Sequence, residues 1–303
     1  MHELAAKYKV PTYSHVRSEG DVDPLSAAQA YGEVLSFAAA TGAHVHICHL
    51  NSTSFRDLPL SASMIEGALA EGLHVTVEAY PYGAASTGIG AKFLDPDNLS
   101  RVGMTYESVE YQGKRLNEIS FKELRVENPA AIVVPHFYEL PRDQRLLDMA
   151  VLFPGGIIAS DAMPWLSTET GKEVDPNAWP IPVDAFSHPR SAGTFTRFLS
   201  QYVRDRKLIS WSDAIAKTSY LPAKYLEEIA PRMKKKGRLQ VGMDADVTVF
   251  DPATVEDRAT YEKPNQTSVG VKYLLVSGTF VIRDGELDTK AFPGQPVRRS
   301  VTP

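Results

Sequence analysis

The sequence predicts an α/β protein built on a parallel sheet. Short β-branched runs alternate with helical stretches over residues 1–165, and most of those runs are apolar on both faces (AHVHICHL, AAIVVPHF, GGIIASDA). Strands of that texture are buried on both sides by helices. Repeated β–α units imply parallel strands joined by right-handed crossovers. Each run also ends in polar or aromatic residues (SHVRSEG, CHLNS, EAYPYG, PHFYE, SDAMPW). The C-terminal ends of parallel strands are where barrels and doubly wound sheets keep their chemistry.

The expected strands are Val10–His15, Ala43–His49, His74–Tyr80, Ala131–His136 and Gly156–Asp161. Helices are expected at Pro24–Thr41, stopped by Gly42, and at Ser61–Glu71, stopped by Gly72; glycine is the usual residue just past a helix end. Arg142–Phe153 has apolar residues at helical spacing and ends before Pro154. Thr168–Arg190 is proline-rich and aperiodic, the texture of a lid or binding loop. A helical pair follows, Thr194–Asp205 and Ser210–Ile229, the second capped by Ser210 or Ser212 with Asp213 in its first turn. From Gly237 the texture turns to short strands with Gly and Asp turns, too few for an independent sandwich. The expected division is an α/β unit over 1–232 and a β segment over 233–303.

Composition excludes several classes. The 303 residues are 43% hydrophobic and 23% charged, values of a folded globular chain. No apolar run approaches the ~18 residues of a membrane span, and MHELAAKYKV lacks the apolar core of a secretory signal. Cys48 is the sole cysteine, which excludes an internal disulfide and a multi-cysteine metal site and points to a reducing, cytoplasmic compartment. A net charge of −5 argues against nucleic-acid or anionic-membrane partners. The basic run Lys234–Arg238 is short and reads as solvated. There is no phosphate-cradling glycine loop and no G-x-S-x-G elbow.

The candidate chemistry lies at the strand ends. His44 and His46 share a strand face and could chelate a metal, but both sit at the start of their strand; His49, at its end, is the better ligand candidate. Asp161 closes an apolar strand, a costly place for an acid without a partner or a metal. Glu78 reads as a ligand, a base or half of an ion pair, and His136 carries the same ambiguity. Arg17 is expected either to pair with Glu19 or to bind substrate, and Arg190 suits carboxylate recognition. Cys48 should face away from His49 and be inert.

These motifs, in order, resemble the metal-dependent amidohydrolases of the D-aminoacylase (N-acyl-D-amino-acid deacylase) group, with D-glutamate deacylases nearest. YSHVRSEG resembles the family's fourth barrel strand, HICHLN the fifth, EAYPYGAAST the sixth and GGIIASDA the eighth. SHPRSAGTFTRFLSQYVRDRKLISWSDAIAKTSYLPAKYL is the most specific segment, and GRLQVGMDADVTVFDP with YLLVSGTFV resembles the small amidohydrolase β-sandwich. The resemblance implies a partial TIM barrel (strands 4–8) followed by part of that sandwich. It implies one or two zinc ions held by His49 and Asp161, with Glu78 as a substitute ligand. Asp161 would also take the proton of the attacking water. Arg190 with Tyr82 would hold the carboxylate of an N-acyl-D-amino acid, and Asn51, Arg17 and His136 would line the substrate site.

Asn51 departs from the family, which has Lys at that position, and no counterpart of the family's first-strand H-x-H pair or metal-binding Cys is present. The expectation is therefore the C-terminal part of a zinc-dependent hydrolase of a linear amide, with weak or absent zinc binding, little activity alone and a tendency to self-associate. Two alternatives stand beside it: a cyclic-amide hydrolase of the dihydroorotase or hydantoinase type, and a non-catalytic subunit that completes its barrel with another chain.

Overall fold

A computed structural model describes residues 1–22 and 25–299. The chain begins with α1 (His2–Tyr8), β1 (Thr12–Ser14), α2 (Ala27–Thr41), β2 (Val45–Ile47), α3 (Leu50–Ser54), α4 (Leu58–Ala70) and β3 (Val75–Ala79). Next come β4 (Thr87–Gly88), α5 (Pro96–Leu99), β5 (Val109–Tyr111), β6 (Lys114–Arg115), α6 (Glu118–Glu127) and β7 (Ile132–Pro135). Then follow α7 (Gln144–Val151), β8 (Ile157–Ile158), β9 (Leu166–Ser167), β10 (Ala185–Phe186) and α8 (Arg190–Arg197), which runs on as a π-helix over Phe198–Asp205. α9 (Trp211–Ile215) and α10 (Leu221–Leu226) flank a second π-helical stretch, Ala216–Tyr220. The chain closes with β11 (Val247–Phe250), β12 (Val271–Val276), β13 (Thr279–Arg283) and β14 (Glu286–Leu287).

The organising sheet is parallel, in the order β1-β2-β3-β8. Val45 of β2 lies between Thr12 and Val75, which puts the strand starts at one end and the chemistry-bearing ends at the other. α2 packs on this sheet through Ala27, Ala30, Tyr31, Val34 and Ala38, a stripe at helical spacing. Burying each large apolar chain in this layer contributes about 1.5–3 kcal/mol. α4 and α7 add Ile65, Leu147 and Ala150 to the same core. The start of α2 is set by Ser26, whose hydroxyl accepts from the Gln29 amide in a capping box; Pro24, the expected first residue, lies outside the described residues. Gly42 ends the helix at φ +68°, as expected of a C-terminal glycine. Ser210 caps α9 by accepting from the Asp213 amide.

One expected strand is elsewhere. Ala131–His136 does not join the parallel sheet: its core, β7, lies in a separate antiparallel sheet of order β4-β7-β5-β6. The run is apolar on both faces because a second core cluster covers it, with Ile89, Phe93, Val109, Phe121 and Val133. The run is buried as its apolar texture implies, but that texture does not encode strand direction. The sheet holds four of the five strands expected. The Thr168–Arg190 loop likewise contains part of a hairpin, β9 with β10.

β11 to β14 form an antiparallel meander, and none of their described residues is buried. No helix among the described residues is long and apolar enough to cross a membrane.

Candidate active site

Four side chains meet beyond the C-terminal ends of the parallel strands: His15 after β1, His49 after β2, Tyr80 after β3 and Asp161 after β8. His49 (φ +35°) and Asp161 (φ +49°) are both left-handed. Non-glycine residues hold that conformation at some cost in strain, which clusters at functional sites.

His15 Nδ1 and His49 Nε2 face each other at 2.9 Å. The other nitrogen of His15, Nε2, lies 2.9 Å from a Glu19 carboxylate oxygen. A carboxylate only accepts, so it holds the proton on Nε2 and leaves the Nδ1 lone pair aimed at His49. That hydrogen bond raises the His15 pKa against the opposing effect of burial. Burial lowers the His49 pKa, and its Nδ1 is buried without a partner. Two imidazole nitrogens turned toward each other beside a carboxylate, one backed by a second carboxylate, suit a divalent metal. The residues present therefore fit part of a metal ligand set. Asp161 belongs to the same group electrostatically but turns one oxygen to Arg190 Nη2, at 2.9 Å.

Arg190 is the largest side chain among those almost wholly buried, with 2% exposure. Its guanidinium lies 4.5 Å from the centre of the Tyr80 ring. Nε and Nη1 have no hydrogen-bond partner. His188 sets the backbone that carries it: Nδ1 accepts from the Arg190 amide (3.0 Å) while Nε2 donates to the Ala84 carbonyl (3.1 Å). Arg190 is therefore a buried cation with two donors to spare.

The other expected site residues are placed as follows. Glu78 turns toward His46 Nε2 (3.2 Å) and the Cys48 thiol, which burial pushes up to about 12. Asn51 is fully buried; its Nδ2 donates to the Tyr80 and Tyr82 carbonyls at 3.1 Å and its Oδ1 is unpartnered. The Tyr82 hydroxyl donates to the Pro189 carbonyl at 3.5 Å, and its ring lies under Arg197 (4.6 Å), so it buttresses the α8 segment rather than reaching Arg190. Arg17 is exposed and pairs with Glu33 at 2.8 Å, in place of the expected Glu19. His136 pairs with Glu110 (3.3 Å) in the antiparallel sheet and packs on Tyr261.

Sequence reasoning gave no site role to His15 or His188, and gave Glu19 one only as a partner of Arg17. The signal for His15 and Glu19 was in SHVRSEG, where His and Glu are four residues apart at a strand end. For His188 it was the segment HPR itself, where a histidine two residues before the buried arginine can reach back to its amide.

Comparison with known proteins supports the same group. A family model described as an amidohydrolase family matches residues 176–282. An N-acyl-D-glutamate deacylase of Alcaligenes xylosoxydans xylosoxydans is 28% identical over 299 residues, covering 95% of this chain and 54% of that protein. A D-aminoacylase of the same organism is 30% identical over 300 residues, covering 94% and 53%. The crystal structure of an N-acyl-D-glutamate deacylase from Bordetella bronchiseptica, complexed with zinc and a phosphonate inhibitor, superposes with a TM-score of 0.71 at 26% identity, covering 98% of this chain and 58% of that one. Nearly the whole chain is similar to these deacylases, and it spans about half the length of the curated relatives it matches.

Proposed function

We propose that this chain carries part of the active site of a zinc-dependent amide hydrolase that removes the acyl group from an N-acyl-D-amino acid with an acidic side chain. The observation that carries the reading is Arg190: a buried guanidinium with two free donors, paired with Asp161 beside the His15–His49 nitrogen pair. Such a group is held in reserve for an anion, and the planar fork matches a carboxylate. His15, His49 and Asp161 would hold the zinc, with further ligands coming from parts of the protein not represented in these 303 residues.

When bound, zinc supplies Lewis-acid polarisation of the amide carbonyl and a water whose pKa falls toward ~7. The chain's own groups do the rest. Arg190 fixes the substrate's free carboxylate and so sets which face of the amide meets Asp161. Asp161 accepts the proton of the attacking water and passes it to the leaving amine nitrogen, as general base and then general acid. Asn51, through the Tyr80 and Tyr82 carbonyls, holds the turn that places Tyr80 under Arg190. Glu19 keeps His15 in the tautomer that faces His49.

The test is release of free amine from N-acetyl-D-glutamate by the complete protein with added zinc, run beside ring opening of a hydantoin and of dihydroorotate. Amine release that is lost in Asp161→Asn supports the proposal. Ring opening without amine release assigns the cyclic-amide reaction instead, and neither reaction in zinc-loaded protein refutes the enzymatic reading.

A further inference from the structure

The opposite end of the parallel sheet carries a second histidine group that the proposed reaction does not use. His44 directly precedes β2 and His74 directly precedes β3, so the parallel register brings both to the N-terminal edge of the sheet. Their rings stack with centroids 3.8 Å apart and planes 11° from parallel. The segment after α10 brings Glu228 onto the pair, and the Tyr225 hydroxyl donates to the Gly155 carbonyl at 2.5 Å, pinning the end of α10 against the turn before β8. One donor atom from each of His44, His74 and Glu228 lies within 4.8 Å of the others.

His44 is the fixed member. It is 5% exposed, and its Nδ1 is buried without a hydrogen-bond partner. The hydrogen-bond chain behind it decides what that nitrogen offers. The Glu78 carboxylate accepts from His46 Nε2, so a singly protonated His46 presents a lone pair at Nδ1. The Thr76 hydroxyl, 2.8 Å from that Nδ1, donates its one proton there. His44 Nε2, also 2.8 Å from the Thr76 oxygen, must then be the donor. The His44 proton is therefore on Nε2, and Nδ1 carries a lone pair. An oriented imidazole backed by a hydrogen-bonding partner is how proteins prepare a metal ligand.

We propose that His44, His74 and Glu228 hold a divalent transition-metal ion at the N-terminal end of the sheet, separate from the His15–His49 site. Two imidazoles and a carboxylate select zinc, nickel or copper over calcium or magnesium. Ligand atoms around tetrahedral zinc lie about 3.3 Å apart for bonds of about 2.0–2.1 Å. His74 and Glu228 are exposed and close the remaining gap by rotation about their side-chain bonds, while His44 stays in place. The ion would tie the starts of β2 and β3 to the segment after α10.

The test uses the 303-residue chain with His15→Ala and His49→Ala, which silences the first site. Zinc is titrated calorimetrically and by thermal melting. We expect one equivalent bound and a Tm that rises with zinc. Both effects should vanish when His74→Ala or Glu228→Gln is added; these positions are exposed, and circular dichroism checks that the fold is kept. Absence of zinc binding at submillimolar metal in the first variant overturns the proposal, as does a full equivalent retained after either added change. The two sites share no ligand, so failure here leaves the amide-hydrolase reading standing.

Discussion

Replacing Arg190 with Met separates what the pocket does for folding from what it does for binding. The guanidinium, itself almost wholly buried, loses an ion pair with Asp161, whose side chain is 32% exposed and rehydrates; a charge-assisted hydrogen bond of this kind is worth about 1.5–3 kcal/mol. It loses its position over Tyr80, about 2 kcal/mol for a desolvated cation–π contact. Against this, Nε and Nη1 no longer need burying without partners, a relief of about 1–3 kcal/mol each. The opposing sums are of similar size, and water admitted to the pocket trims the gain. We therefore expect a Tm unchanged to within a few degrees, since about 1 kcal/mol moves a domain of this size by roughly 2 °C. Ligand affinity should behave differently. Two charge-assisted hydrogen bonds at about 1.5–3 kcal/mol each correspond to a loss of roughly 10²–10⁴ in affinity. Thermal melting and calorimetric titration with N-acetyl-D-glutamate read both quantities on the same samples. A Tm drop beyond about 5 °C, equivalent to more than about 2 kcal/mol, would make Arg190 a structural residue. Unchanged affinity would remove it from the substrate site.

Three further outcomes are expected. Gly193→Ala places a methyl 2.6 Å from the Tyr82 hydroxyl and 2.9 Å from Asp257 Cβ, so it should destabilise by about 1–3 kcal/mol, seen as a lower denaturation midpoint at constant m-value. Lys217 is buried with its ammonium 2.6 Å from the Phe153 and Gly156 carbonyls, and burial lowers its pKa to about 8 from 10.5. The unfolded chain then binds more protons between those two values, so Lys217 makes stability rise with pH across that window, by up to roughly 3 kcal/mol before the carbonyl contacts oppose it; the rise should flatten in Lys217→Met when urea midpoints are measured across that range. Glu19→Gln removes the carboxylate behind His15 and should weaken zinc binding by about 10–100-fold in a chelator competition.

What was legible in the sequence follows from which physical terms are local. Gly42 and Ser210 act on their own helix ends, and each bounds its helix as the sequence implied, while Ser26 caps a helix that the sequence reading began at Pro24. Burial on both faces is also local in pattern, which is why Val45–Ile47 and Val75–Ala79 were found. Strand direction is not: it depends on the partner, so Ile132–Pro135 read as parallel and pairs antiparallel with Val109–Tyr111 and Thr87–Gly88. The same distinction divides the site. Asp161 stood out because an acid at the end of an apolar run needs a partner wherever the run folds, and Arg190 supplies it. His15 did not, because a lone histidine at a strand end means nothing until the neighbouring strand brings His49 to 2.9 Å. His44 is the converse case. Its position at a strand start sets it apart from the catalytic end of the sheet, and the same position stacks it on His74. The parallel register aligns strand starts as strictly as strand ends, so two histidines placed just before adjacent strands meet for the same reason that two placed just after them do.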